Sequence, residues 1–136
     1  MVSGIPIAIR AGAMTMSRQE LGILGENLAV EELTRRGYAI LERRYRTRYG
    51  EIDIVTEDAG VLVFVEVKAR EDLTFGTAAD AVTPEKQRKV ASRAVEYLAR
   101  KHVTDRACRF DVVAIDFAGT PRQTITVYTH AFEATS

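Results

Sequence analysis

The chain holds one cysteine, no tryptophan, two histidines and three prolines in 136 residues. A lone cysteine excludes a disulfide framework and a thiolate zinc cluster, because both need ligands in sets. Cys108 reads as a small core residue, and a reducing, cytoplasmic setting fits. His102 and His130 have no ligand-like partners near them in sequence, so both read as structural or exposed. No long apolar run is present. Residues 1–16 are interrupted by Pro6 and Arg10 and lack the basic start of a signal peptide, so they read as a disordered tail and no membrane partner is expected. Net charge is zero, so bulk charge gives no support for a polyanionic partner.

What is present is an ordinary globular composition, 46% hydrophobic and 28% charged, long enough to bury a core without staples. Residues 17–136 read as one domain. Charge is unevenly placed. Residues 35–48 contain six arginines, and residues 86–109 contain eight lysines or arginines. Such runs are commonly solvated faces; here both could flank a cluster of acids.

The pattern predicts the order α-β-β-β-α-β-β, a central mixed sheet flanked by helices. A helix is expected over 17–37, with Ser17 and Glu20 in a capping-box spacing and Gly37 past the end. Glu26 has Gly22, Ala29, Val30 and Leu33 as its helical neighbours, so it faces packed residues or lies at the helix edge. Strands are expected over 38–48, 51–56 and 61–69, with turn chemistry at 57–60. Thr83-Pro84-Glu85 opens a second helix, with Val90, Ala91, Ala94, Val95 and Leu98 inward. Strands over 110–117 and 123–130 close the domain.

The third strand carries the chemistry. Val61, Val63, Val65 and Val67 share one face; Leu62, Phe64, Glu66 and Lys68 share the other. Both faces are apolar until the last residues, so the strand is central and its charges sit at its carboxyl end. Asp53 lies on the strand before it, two residues after Glu51. Carboxylates near a core need a partner or a metal. Asp53 and Glu66 can offer hard oxygen ligands to Mg²⁺ or Mn²⁺, with the Val67 carbonyl as a third and Glu26 approaching from the first helix. Lys68 could orient water or stabilise charge on a phosphate. Glu-x-Lys alone is common, and a surface ion pair at a strand end is the plain alternative.

Weaker readings surround this cluster. Arg44, Arg46 and Arg48 could hold a phosphate backbone, and Lys86 and Gln87 could reach phosphate from the start of the second helix or simply be solvated there. Tyr45 and Tyr49 could stack on bases, with packing favoured. Arg109 and Asp111 read as a local pair.

Gly25-Glu26, Gly50-Glu51-Ile52-Asp53, Val63-Phe64-Val65-Glu66-Val67-Lys68 and Thr83-Pro84-x-Lys86 together resemble the uncharacterised bacterial YraN family, over about residues 18–130. That family resembles the PD-(D/E)xK nucleases, so the resemblance implies a restriction-endonuclease-like fold close to Holliday-junction resolvases. It implies Glu26, Asp53, Glu66 and Lys68 as catalytic positions, magnesium as cofactor, and DNA, branched by analogy, as substrate. Two departures stand out: Ile52-Asp53 replaces Pro-Asp, and Arg44 stands where asparagine is usual. A symmetric dimer would suit cleavage of two strands. The alternatives are a non-catalytic nucleic-acid-binding module and a protein-interaction domain whose charges form a structural network.

Overall fold

The computed structural model describes residues 16–133. The expected tail lies outside the described residues except for Met16, whose backbone N–H donates to Glu71 at 3.1 Å. The elements are α1 (Arg18–Arg35), β1 (Ala39–Thr47), β2 (Gly50–Asp58), β3 (Val61–Ala69), a short 3-10 turn (Ala79–Ala81), α2 (Pro84–Arg100), β4 (Cys108–Asp116) and β5 (Thr124–Phe132). The order is the expected α-β-β-β-α-β-β, with the strands in one five-stranded sheet in the spatial order β1-β2-β3-β4-β5. β3 and β4 run parallel, and the other neighbours are antiparallel.

Local chemistry sets the helix ends. Ser17 Oγ accepts from the Glu20 N–H and the Glu20 carboxylate accepts from the Ser17 N–H, the reciprocal box. α1 stops at Arg35 rather than 37, because Gly37 turns left-handed at φ +94° and the Tyr38 N–H returns to the Leu33 carbonyl. Thr83 caps α2 by accepting from the Lys86 N–H, with Pro84 in the first turn.

The alternation of β3 divides the core. Val63 and Val65 pack under α1 with Ala29, Leu33, Ile54, Val113 and Ile115. Leu62 and Phe64 pack under α2 with Val55, Val90, Ala94, Tyr97 and Phe110. β3 is buried on both faces, as its apolar run requires. Two expectations fail. Val95 is 65% exposed, and Tyr97 takes the inward place, because positions 90, 94 and 97 follow the helical stripe and 95 does not. Cys108 is exposed at the first residue of β4, ahead of the buried part of the strand.

α1 lies close to the sheet at Gly25, where an added Cβ would stand 3.0 Å from the Ala69 Cβ. At Gly22 nothing lies within 4 Å. Gly25→Val should therefore destabilise by about 2 kcal/mol through overpacking, whereas Gly22→Ala should gain about 0.5–1 kcal/mol of helix stability. Urea unfolding of the two variants checks the contrast; equal effects would contradict this packing.

Candidate metal and phosphate site

The site forms where β2 and β3 part. Their ladder runs from Asp58↔Val61 to Ile54↔Val65, with Asp53 just beyond the last pair. The Val67 N–H donates to Asp53 Oδ2 at 2.8 Å instead of to a cross-strand carbonyl. β3 continues beside β4 as far as Ala69↔Ile115, so one neighbour holds it while the other diverges. The fork leaves a side chain of β2 facing the end of β3.

Side-chain faces also switch here. Ile52 and Ile54 are two residues apart and would share a face in a regular strand. Ile54 packs in the α1 core and Ile52 in the α2 core. On the partner strand Arg43 opposes Ile54 and Tyr45 opposes Ile52, with Arg44 between them at φ +51°. That left-handed residue breaks the alternation. Arg43 and Arg44 consequently both reach Glu26, with Nε–O distances of 2.6 and 2.5 Å. Tyr45 packs edge-on against Tyr97, 4.8 Å between ring centres, so it belongs to the core; Tyr49 is exposed.

Asp53 and Glu66 are the chemical centre. Burial pushes the Asp53 carboxyl up to about 7, and the Glu66 charge adds to the shift. The Val67 hydrogen bond and the Lys86 charge oppose it. Glu66 is 6% exposed, and Lys86 Nζ lies 3.2 Å from its Oε2. The cap at Thr83 sets Lys86 in the first turn of α2 for that contact. Lys68 is half-buried, and its pKa is lowered by burial first and then by the Arg70 and Lys86 charges, with Glu66 acting the other way and Arg18 adding to the lowering.

Glu26, 7% exposed, lines a cleft of about 270 Å³ with Arg44, Glu51 and Asp53. Its two oxygens are engaged by arginines. Among the described residues no three Asp, Glu, His or Cys side chains converge as a metal-binding set. The two acids that act on each other are Asp53 and Glu66. Two hard oxygens with remaining positions left to water suit Mg²⁺, which gives up its waters reluctantly. The chemistry of the donor set fits a divalent ion.

The basic residues separate. Arg46 pairs with Glu51 at the surface, and Arg48 pairs with the buried Glu96 against α2. Gln87 donates to the Val82 carbonyl and lines a different cavity, with Val112 and Tyr128. Sequence reasoning missed two other cations. Arg18 and Arg70 line a cleft of about 580 Å³ with Lys68, and Gly22 of α1 borders both this cleft and the smaller one. Arg70 was legible in principle: it follows Lys68 by two residues, the strand spacing that places side chains together. Arg18 carried no such signal.

The family described as "Uncharacterised protein family UPF0102" matches residues 25–115. A UPF0102 protein of Symbiobacterium thermophilum is 46% identical over 119 residues, covering 88% of this chain and 100% of the relative. Another from Geobacter sulfurreducens is 45% identical over 113 residues, 83% of this chain and 88% of its own. A third, from Mycolicibacterium smegmatis, is 45% identical over 106 residues, 76% of this chain and 86% of its own. Residues 25–115 include Glu26, the β2–β3 fork, Lys68 and Lys86, and on that match the chain belongs to the UPF0102 family, the YraN family that its motifs resemble.

Proposed function

We propose that this protein is a divalent-metal-dependent nuclease hydrolysing phosphodiesters, with DNA as its first candidate substrate. The observation that supports this reading best is the Asp53–Glu66 pair, two carboxylates held together under burial so that one is pushed toward protonation. Fixed like charges are costly unless a cation joins them. Asp53 and Glu66 would hold the metal, with the Val67 carbonyl as a third oxygen. When bound, the metal would neutralise phosphate charge and lower the pKa of a water.

The chain's own groups have separate tasks. The Val67 N–H fixes the Asp53 carboxylate in orientation. Lys86 offsets the Glu66 charge. Lys68 stands in a cationic cleft and sheds its proton more readily than a free lysine, which would suit the amine to orient water; the ammonium form would stabilise charge on the phosphate. Glu26 would serve by holding Arg43 and Arg44 at the rim near Asp53. Arg46 and Arg48 would follow the phosphate backbone only by exchanging their present carboxylate partners, so binding should weaken with salt. Among the described residues no helix is long and apolar enough to cross a membrane. A cytoplasmic setting and a symmetric dimer are parts of the same proposal.

The test is incubation of the full chain with labelled branched, flapped and linear DNA and with RNA, in Mg²⁺, Mn²⁺ or chelator. Cleavage dependent on metal is expected. Binding without cleavage across the whole panel would replace the nuclease with a non-catalytic binding module.

A further inference from the structure

The most exposed large apolar side chain among the described residues is not on the sheet or the helices. Phe75 is 81% exposed and sits in the loop between β3 and α2. An isolated exposed apolar residue needs no explanation. This one lines the 580 Å³ cleft that also contains Arg18, Lys68 and Arg70.

Its presentation is specific. The Gly76 N–H donates to the Leu73 carbonyl at 3.1 Å, closing a turn with Thr74 and Phe75 at its centre. Asp72 accepts from the Thr74 N–H before the ring, and Asp80 accepts from the Thr77 N–H after it. Gly76 takes φ +93°, with Asp80 packed against it. The loop is pinned on both sides of an aromatic ring that it leaves open to solvent.

The cleft beside the ring is unsatisfied in one sense only. Its acids, Glu71 and Asp72, already accept from backbone N–H groups. Among the described residues Arg70 Nε is buried with no hydrogen-bond partner, beside Lys68. The cations ask for an anion, and the ring next to them offers a stacking face. A nucleotide with an unstacked base provides both, whereas the bases of a continuous duplex have no face to spare.

We infer that Phe75 stacks on an unpaired base while Arg18, Lys68 and Arg70 hold its phosphate, so that the substrate class is nucleic acid with unpaired nucleotides next to the cut: a single strand, a flap or a branch point. The inference rests on the nuclease reading of the neighbouring site and deepens it. It commits to a nucleotide because the cleft pairs an aromatic face with three cations that have no ion-pair partner among the described residues.

The chain has no tryptophan, so Phe75→Trp introduces a single tryptophan at the site, excited selectively at wavelengths where tyrosine does not absorb. In an Asp53→Asn background, which removes cleavage, Phe75→Trp is titrated with a single-stranded oligonucleotide, a flapped duplex and a blunt duplex. Anisotropy of labelled DNA records binding in parallel. Strong quenching is expected with the first two and little with the third. Phe75→Ala should bind the single strand and the flap about 5- to 150-fold more weakly, the effect of one lost stack, and bind the blunt duplex unchanged. DNA binding with an unquenched tryptophan and an unaffected Phe75→Ala would overturn the inference and leave the nuclease reading standing. Equal quenching by the blunt duplex would overturn the unpaired-base preference. A concentration-dependent change without DNA would assign Phe75 to contact with a second copy instead. Absence of all nucleic-acid binding would remove both readings.

Discussion

Asp53→Asn and Glu66→Gln should each lower metal-dependent cleavage by at least about a thousandfold, while Asp53→Asn makes the metal-free protein more stable at pH 8. The first effect follows from losing several kcal/mol of charge stabilisation supplied through the metal, at about 1.4 kcal/mol per tenfold in rate. The second follows from the sign of the Asp53 shift. Its carboxyl is raised to about 7 in the fold by burial and by Glu66, whereas an unfolded Asp titrates near 4. The folded state therefore holds this proton more tightly. The Asp53 contribution to metal-free stability is therefore fully present below about pH 4 and is lost as pH rises to about 7, with a slope of at most about 1.4 kcal/mol per pH unit for one proton. Asp53→Asn removes the like charge and should flatten that window. Mg²⁺ should raise the melting temperature of the unmutated protein more at pH 8 than at pH 5, because only the ionised pair binds it. Thermal melts across pH, with and without Mg²⁺, check this. A purely structural ion network would lack the metal response.

Asp111→Ala should cost about 3–5 kcal/mol in urea unfolding, the range for breaking a buried ion pair from one side. Asp111 is fully buried, and its two oxygens take four donors. Oδ2 accepts from the Tyr38 hydroxyl at 2.7 Å and from Arg109 at 2.8 Å. Oδ1 accepts from Arg109 Nε at 2.8 Å and from the His130 N–H at 2.9 Å. Arg109 also reaches Asp58, so the cluster ties the start of β1, the end of β2, β4 and β5 together. Burial and the Asp111 hydrogen bond push the Tyr38 hydroxyl up to about 12. Removing Asp111 leaves the Tyr38 hydroxyl proton and the His130 N–H without acceptors and leaves Arg109 with Asp58 as its remaining carboxylate partner. Tyr38→Phe removes one donor and should cost about 1 kcal/mol. The exposed Arg46–Glu51 pair is the control: Arg46→Ala should change stability by less than about 1 kcal/mol. If Asp111→Ala matched that surface control, the cluster would not be holding the sheet.

The two clusters differ in how far they could be read in advance. The Arg109–Asp111 proximity follows from a spacing of two in a strand. That Tyr38, Asp58 and the His130 backbone complete it does not, because those groups lie 73, 51 and 19 residues away from their partners in the chain. Lys86 was named from its place in a capped helix start, yet the helix start alone could not show that it lies against Glu66. Gln87, its neighbour, turns instead to the Val82 carbonyl, since one helical step rotates the side chain by about 100°.

The sequence by itself determined the elements and their order, the capped starts of α1 and α2, and a central β3 with Glu66 and Lys68 at its carboxyl end. These depend on caps, turn residues and periodicity, which act within a few residues. Tertiary structure decided that β2 and β3 fork at Asp53 and that the face alternation breaks at Arg44. It also decided that Glu26 is held by Arg43 and Arg44, and that Arg18, Arg70 and Phe75 share a cleft with Lys68. The physical reason is the same in each case. A strand pattern assumes regular alternation and a continuous ladder. A left-handed arginine and a diverging strand pair arise only when distant segments pack against one another.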